Sequence, residues 1–136
     1  MLGTCEHCGQ TFACSLIHDG FNESCHAYCE RCGTTAVIDT NYRDREAEGL
    51  PRHRGITAAG EDLLRPCDCG GRFVATGSPR CPDCRAELSA LAAASWIEAQ
   101  SPGAARGWRW QRNWTGGYAL VIEGRLVANR LVEPDS

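Results

Sequence analysis

Lysine is absent from this 136-residue sequence, and large apolar side chains are scarce. All 14 basic residues are arginine, and 17 acidic residues leave a formal net charge of −3. The apolar fraction of 43% includes 10 cysteines, and 17 alanines account for much of the rest. The N-terminal half therefore has too little aliphatic material for an ordinary core. Domains this small then usually depend on disulfides or metal ions.

The sequence also shows neither a secretory leader nor a membrane span. Residues 1–8 contain no basic n-region and no apolar h-region. The longest nearly apolar stretch, from Leu88 to Ile97, is far too short to cross a bilayer. We therefore expect a cytoplasmic protein with no membrane partner. Thiols stay reduced in that compartment, and clustered cysteines there usually bind metal.

Motifs of known catalytic sites are missing as well. The sequence contains no His-Glu-x-x-His, no phosphate-binding glycine loop and no nucleophile elbow. The His-x-Glu of zinc deaminases does not occur either. These patterns indicate that the chain is not an enzyme, and no small-molecule substrate is evident.

Eight cysteines occur as four close pairs. Tetrahedral Zn²⁺ sites use four such sulfurs, and a short gap within a pair lets one tight turn aim both at the same ion. Sequence proximity predicts two sites that bind two Zn²⁺ ions, with iron as an alternative metal. The first predicted site comprises Cys5, Cys8, Cys29 and Cys32, and the second comprises Cys67, Cys69, Cys81 and Cys84. A redox dithiol is the other use of Cys-x-x-Cys, but the thioredoxin-like context is missing.

On these cysteines the chain resembles zinc-ribbon (rubredoxin-like) proteins, over residues 1–40 and 63–89. The resemblance implies structural zinc and contacts with proteins or nucleic acids. Two features depart from the family pattern. A single residue separates Cys67 from Cys69, and Arg85 stands where a glycine usually follows the second cysteine.

The predicted fold class is a small metal-stabilised protein, mainly β with one short helix, built from two zinc ribbons and a C-terminal β-hairpin. β-Rich runs predict strands at residues 11–17, 21–28, 34–40, 72–76, 118–122 and 125–131. The strands at 11–17 and 21–28 are expected to pair about a turn at residues 18–20, and Glu123-Gly124 should close the C-terminal hairpin. Ser89 is the expected N-cap of a helix over residues 90–100. Its predicted apolar face contains Leu88, Leu91, Ala92, Ser95, Trp96 and Ala99.

The predicted organisation has four parts. Residues 1–40 form the first ribbon and 63–89 the second, while the charged, glycine-containing residues 41–62 form a connector or exposed loop. Residues 90–136 supply the helix and the C-terminal hairpin, which should pack on the ribbons.

Cys14 and Cys25 remain outside the two quartets. If their strands pair as expected, the two lie nearly opposite each other. Small buried apolar side chains are the favoured interpretation, with a reversible disulfide or an extra metal position as alternatives.

Tryptophan and arginine alternate near the C-terminus, at Trp108, Arg109, Trp110, Arg112 and Trp114. Such a segment can pack into a core, anchor a protein interface or stack on nucleic-acid bases. Two Zn²⁺ ions on eight thiolates would add about −4 to the negative charge, which disfavours a polyphosphate partner. We therefore expect a non-catalytic zinc-binding adaptor for another protein. The alternatives are a nucleic-acid-binding zinc ribbon that uses this segment, and a thiol redox or zinc sensor.

Overall fold

The computed structural model describes residues 1–18, 24–39, 58–105 and 118–130. This part of the chain is mainly β, with one helix of 11 residues and one of four. In chain order its elements are β1 (Leu2–Thr4), β2 (Thr11–His18), β3 (Ser24–Cys29), β4 (Thr35–Asp39), α1 (Ala58–Glu61), β5 (Phe73–Val74), α2 (Ala90–Gln100), β6 (Tyr118–Ile122) and β7 (Leu126–Arg130). The strands at the predicted positions are confirmed, whereas β1 and α1 were not predicted.

Strand pairing differs from the prediction at β2. This strand lies between β1 and β6 in one sheet, and β3 lies between β5 and β4 in the other. The predicted pairing of β2 with β3 is therefore wrong. In its place, β1 and β2 form a hairpin around the first cysteine pair, with Leu2 opposite Ala13, and β3 and β4 form a hairpin around the second. Each cysteine pair at the tip of a hairpin thus sits on strands that are adjacent in sequence.

The predicted C-terminal hairpin is also wrong, although its turn is present. Glu123 and Gly124 both have positive φ, at 47° and 75°, and the Arg125 amide donates to the Ile122 carbonyl at 2.7 Å. After this turn β7 does not pair with β6 but runs parallel to β4 in the other sheet. The turn residues predict the reversal correctly, but they do not determine which neighbour each strand takes.

Two buried side chains join the sheets at Leu120. The Leu120 amide donates to the Tyr28 hydroxyl oxygen at 2.9 Å, and the Leu120 carbonyl accepts from the Thr35 hydroxyl at 3.0 Å. β6 is an edge strand, so its outer backbone groups need partners when they are buried. Tyr28 and Thr35 supply these partners from β3 and β4, which fixes one sheet against the other.

Helix α2 begins at the predicted cap, where the Ser89 side chain accepts from the Ala92 amide. The predicted apolar face is confirmed at Leu88 and Ala92, which are buried, and wrong at Leu91, which is 73% exposed. Within α2 the buried residues are Ala90, Ala92, Ala93 and Ile97. Three of these four side chains are methyl groups, which let the helix backbone approach its neighbours closely. Trp96 stands edge-on to Phe12, with ring centroids 5.6 Å apart. Within the described residues, no helix is long and apolar enough to cross a bilayer.

Candidate metal centres

Three Cys-x-x-Cys loops share one backbone geometry. In each, the amide of the first cysteine donates at 2.9 Å to the carbonyl five residues later. The three pairs are Cys5 with Gln10, Cys29 with Thr34, and Cys81 with Ala86. This hydrogen bond closes a compact loop, or knuckle, and leaves both thiols of the pair on one side of it. The two residues between the cysteines are what permit this closure.

The fourth residue after the first cysteine takes a left-handed conformation in all three knuckles. Gly9 and Gly33 have φ of 75° and 76°, and Arg85 has φ of 65°. Each donates its amide back to the carbonyl of the first cysteine at 2.9 to 3.0 Å. Arg85 therefore occupies a position where glycine is favoured, and it adopts the same geometry as the two glycines. Arginine in place of the glycine that is usual in zinc ribbons therefore leaves the backbone geometry of this knuckle unchanged.

The remaining pair, Cys67 and Cys69, is the third in chain order and forms a tighter loop. The Cys67 amide donates to the Gly71 carbonyl at 2.8 Å, one residue sooner than in the other knuckles. Gly70 has φ of 91°, and its amide donates to the Cys67 carbonyl at 2.9 Å. The missing residue thus shortens the loop by one position, and the two thiols still converge.

The structure brings all eight thiols into two clusters, but the members are exchanged relative to the prediction. Centre A contains Cys5, Cys8, Cys81 and Cys84, and centre B contains Cys29, Cys32, Cys67 and Cys69. The first knuckle thus meets the fourth, and the second meets the third. The predicted grouping by sequence proximity is wrong. The strand pairing explains the exchange. β3, which carries Cys29, pairs with β5, and β5 follows Cys67 and Cys69 in the chain.

The geometry of both clusters fits a tetrahedrally coordinated ion. Sulfurs bound at about 2.3 Å around a tetrahedral Zn²⁺ lie about 3.8 Å from one another. In centre A the Sγ–Sγ distance is 3.6 Å from Cys5 to Cys84 and 3.7 Å from Cys8 to Cys81. The corresponding distances in centre B are 3.5 Å for Cys29–Cys69 and 3.6 Å for Cys32–Cys67. Both clusters could therefore hold a metal ion.

Polar groups around the sulfurs stabilise thiolate charge. In centre A the His7 amide points at Cys5 Sγ, at 3.4 Å. In centre B the Arg31 amide lies 3.4 Å from Cys29 Sγ, and the Gly71 amide lies 3.3 Å from Cys69 Sγ. The Thr34 hydroxyl is 3.0 Å from Cys32 Sγ. Donors around the ligands in this way orient metal-bound thiolates and tune their basicity.

Thiol pKa values diverge within centre A. Burial opposes ionisation of Cys5, but the backbone amides of Cys8 and His7 overcome it and lower the Cys5 pKa to about 7. At Cys8 the Gln10 amide acts in the same direction, yet burial and the neighbouring Cys81 thiol raise the pKa to about 12. One thiolate forms readily, and its charge resists the formation of a second.

Centre B repeats this division. Against the effect of burial, hydrogen bonds from Thr34 lower the Cys32 pKa to about 6. Burial and the adjacent Cys32 and Cys69 thiols raise the Cys67 pKa to about 12, and burial is the largest cause of the raised Cys29 pKa. Like charges this close cannot all ionise without a counter-ion. A divalent cation at the centre would remove the conflict.

Each centre belongs to one of the two hydrophobic clusters. Cys5 and Cys81 pack in the cluster that includes Phe12, Leu120 and Ile97. In the other, three cysteines of centre B, Cys29, Cys32 and Cys67, pack with Ile38, Phe73, Ala27 and Ala36. Three ligands reach solvent: Cys8, Cys69 and Cys84. An ion at each centre would therefore add to the apolar contacts that already join these segments.

A family model described as Domain of unknown function (DUF8255) matches residues 2–90. The chain belongs to the DUF8255 family. The matched range contains all eight cysteines of centres A and B. No curated protein matches the chain, and no solved structure matches it.

The remaining predicted residues of this DUF8255 chain have different outcomes. Cys14 is buried, 6% exposed, as the favoured interpretation requires. It pairs with Ile122 on β6, whereas Cys25 pairs with Ile38 on β4, so the expected juxtaposition of Cys14 and Cys25 is wrong. The predicted binding segment lies outside the described residues, as do residues 41–57 of the predicted connector. The members of that binding segment are Trp108, Arg109, Trp110, Arg112 and Trp114. The four-part division of the chain stays a prediction.

Sequence reasoning missed three arginines that contact the ligand loops of centre B. The Arg85 and Arg125 guanidiniums approach the Cys32 carbonyl at 3.5 and 3.4 Å, and Arg31 donates to the Cys69 carbonyl at 3.2 Å. Arg31 could have been found, because it lies between two ligands. Arg85 and Arg125 could not, because their contact with Cys32 depends on the tertiary fold.

Proposed function

We propose that this protein is a non-catalytic module that two Zn²⁺ ions hold in shape and that presents its surface to another protein. The observation that carries the proposal is the closure of both centres. Each has four sulfurs within 4.8 Å of one another, so the protein can fill every position around a tetrahedral ion. Catalytic zinc sites keep one position for water or substrate.

Sites of four thiolates hold zinc or iron, and we propose zinc because closed tetrahedral cysteine sites are its usual structural use in small domains. A structural zinc site contributes on the order of 10–16 kcal/mol at neutral pH, more than the usual net stability of a small domain. Elemental analysis of protein purified without added metal should give two zinc atoms per chain. A red, iron-containing preparation would contradict the assignment of the metal.

Exposed apolar side chains support a protein partner. Leu2 is 63% exposed, Leu91 73%, Leu126 44% and Val127 38%. Leu2 and Leu126 lie on edge strands, β1 and β7. The formal net charge of −3 disfavours nucleic acid as a general partner. We place the protein in a reducing compartment such as the cytoplasm, where eight metal-binding thiols remain available.

Capture from nuclease-treated native extract at about 150 mM salt tests the adaptor function, because weak electrostatic binding fades at that ionic strength. The zinc-loaded chain should retain a specific protein, and a variant with Trp108, Trp110 and Trp114 changed to alanine tests whether that segment contributes. A Leu91→Ala variant provides a matched loss of apolar surface on α2. If wild-type protein retains nothing beyond the metal-free control, the adaptor proposal is wrong.

A thiol sensor is the second candidate, and the exposure of Cys8 and Cys84 favours it. Oxidants reach exposed thiolates first, so mild peroxide should release the ion of centre A before that of centre B. Zinc release into a chromogenic chelator measures both steps. Release of both ions at one rate, with no change in partner binding, would contradict the sensor function.

A further inference from the structure

A cleft of about 490 Å³ opens beside centre B. Its lining combines three arginines, Arg65, Arg85 and Arg125, with the segment of β7 from Val127 to Asn129. Phe73 and three cysteines of centre B, Cys32, Cys67 and Cys69, also line the cleft, and the acidic residue of the lining is Asp68. The cleft therefore combines positive charge, an apolar residue and strand backbone in one place.

The arginines of this cleft have unused hydrogen-bonding capacity. Arg85 and Arg125 each direct one nitrogen at the Cys32 carbonyl, whereas a guanidinium has five N–H donors. Among the described residues, no carboxylate pairs with Arg65, Arg85 or Arg125. Arg72 and Arg80 differ, since they pair with Asp62 at 2.6 Å and with Glu87 at 3.2 Å. Two guanidiniums that converge on one carbonyl repel each other, and an anion between them would relieve that repulsion.

The strand segment in the same cleft is an edge. β7 has β4 on one side and no described strand on the other. The Thr35 amide on β4 donates to the Arg125 carbonyl. In a parallel pair the backbone groups of alternate residues point at the partner strand, so every second residue after Arg125 also points at β4. The backbone groups of Leu126 and Ala128 point to the opposite, open side of β7. No described residue bonds the backbone of Ala128 on that side. The outward N–H and C=O groups of Ala128 are therefore placed to pair with the backbone of another strand.

A side-chain contact marks one end of this open edge. The Asn129 amide nitrogen donates to the Arg65 carbonyl at 3.0 Å, and its amide oxygen accepts from the Arg65 backbone at 3.3 Å. The Asn129 side chain thus makes the pair of hydrogen bonds that a strand backbone would make. It places Arg65 at this end of the edge, while Arg125 precedes β7 at the other.

We propose that the cleft binds an extended acidic segment of a partner protein, which pairs with the open edge of β7 and directs its carboxylates at Arg65, Arg85 and Arg125. This inference rests on the proposed function as a protein-binding module and specifies the chemistry of the partner. Strand addition supplies main-chain hydrogen bonds, and flanking charges supply selectivity. Nucleic acid could satisfy the arginines, but it has no backbone amides to match those of Ala128.

Charge compensation at centre B is the competing function of these arginines. A divalent ion on four thiolates carries a net charge of about −2, and nearby guanidiniums would stabilise it. That function alone predicts weaker metal binding when the arginines are removed, and no affinity for an acidic peptide. The two accounts can therefore be separated by measuring metal content and peptide binding on the same samples.

The probe is a fluorescein-labelled peptide of alternating valine and glutamate, added to the zinc-loaded full chain at about 150 mM salt, where distant charges are screened. Fluorescence anisotropy should show saturable binding. A peptide with lysine in place of glutamate tests charge, and one with N-methylated backbone amides tests strand pairing. Each change should weaken binding at least about tenfold, the loss expected for a charge-assisted contact or a set of backbone hydrogen bonds.

Variants assign the binding to the cleft. The double variant Arg85→Gln and Arg125→Gln should weaken binding of the glutamate peptide by at least about tenfold, and Arg72→Gln, an arginine paired with Asp62, should leave it unchanged. Ala128→Pro removes an outward amide at a position where an edge strand tolerates proline, and it should weaken the same binding with two zinc ions still present. This second variant keeps the test valid if the arginine variant loses metal.

Several results would overturn the proposal. They are no binding of the glutamate peptide, equal binding of the lysine peptide, unchanged binding by both cleft variants, and complete displacement of the peptide by a single-stranded oligonucleotide that binds more tightly. If the peptide fails while the chain still captures a protein from extract, the cleft assignment is wrong and the adaptor function stands. If the peptide assay and the capture assay both fail, the cleft assignment and the adaptor proposal are both wrong.

Discussion

Cys8 Sγ lies 3.7 Å from Cys81 Sγ, although 73 positions separate the two residues in the chain. Cys29 and Cys69 meet in the same way across 40 positions, at 3.5 Å. The two clusters are nested, with the span of centre B lying inside that of centre A. Closing such long loops costs conformational entropy, and an ion at each centre would offset that cost. The nested pairing therefore adds two long-range links to those that the strand pairings β2–β6 and β4–β7 already supply.

Gly71 should be intolerant of even one added carbon atom. A Cβ at this position would lie 2.7 Å from Cys29 Sγ and 3.3 Å from Cys69 Sγ, so Gly71→Ala must displace a ligand of centre B. We expect at least about a tenfold loss of metal affinity at centre B, comparable to the loss of a group that orients metal ligands. Competition with a chromogenic chelator measures this affinity.

Gly9→Ala is the matched control for that substitution. Gly9 has positive φ, but a Cβ there would meet nothing within 4 Å. The Gly9→Ala substitution should cost about 1 kcal/mol of stability through backbone strain and leave the metal affinity of centre B unaffected. Equal metal affinity in Gly71→Ala and wild type would contradict the close approach of Gly71 to the sulfurs.

The link between the two sheets predicts a second set of effects. Tyr28→Phe removes the acceptor for the buried Leu120 amide, and Thr35→Val removes the donor to its carbonyl. Each substitution leaves a buried backbone group unsatisfied, which costs about 1–3 kcal/mol. Denaturant unfolding of the zinc-loaded protein measures the loss. Because both side chains contact one residue, a double-mutant cycle should show a non-additive energy, and strict additivity would contradict a shared link.

Metal affinity should rise with pH in both centres. The raised pKa of about 12 at Cys8 and at Cys67 keeps both thiols protonated at neutral pH, and metal must displace those protons. The thiols with lowered pKa also favour the folded protein more strongly as the pH rises. Cys5 and Cys32 favour the fold as thiolates above the ordinary thiol pKa of 9.0, and this contribution is lost as pH falls through about 7 for Cys5 and about 6 for Cys32.

Acidification should therefore release the ions of both centres. Cobalt-loaded variants that keep a single centre give a thiolate-to-metal absorbance that reports each release separately. Metal affinity independent of pH between 6 and 8 in either centre would contradict the assigned thiol pKa directions.

Sequence patterns predicted the local structure well because each pattern has a local cause. Gly9 and Gly33 meet the positive-φ requirement of their knuckles, Ser89 caps α2, and Glu123-Gly124 reverses the chain. The eight cysteines were also found from their spacing alone. At each of these places the determining contact lies within about five residues.

Long-range pairing could not be predicted in the same way. Grouping Cys8 with Cys32 followed sequence proximity, but either partner satisfies tetrahedral sulfur coordination. The choice depends on β3 pairing with β5 and on Gly33, where a Cβ would collide with the Arg80 backbone. Similarly, nothing near Leu91 indicated that α2 would bury its alanines and expose that leucine. Both outcomes depend on which surfaces meet.

Two double variants test the nested pairing most directly. Cys8→Ser with Cys84→Ser removes two ligands from centre A alone, whereas Cys8→Ser with Cys32→Ser removes one ligand from each centre. Cobalt titration counts the tetrahedral thiolate sites that remain. The structure predicts one intact site in the first variant and none in the second. One intact site in Cys8→Ser/Cys32→Ser and none in Cys8→Ser/Cys84→Ser would show that the sulfurs group by sequence proximity instead.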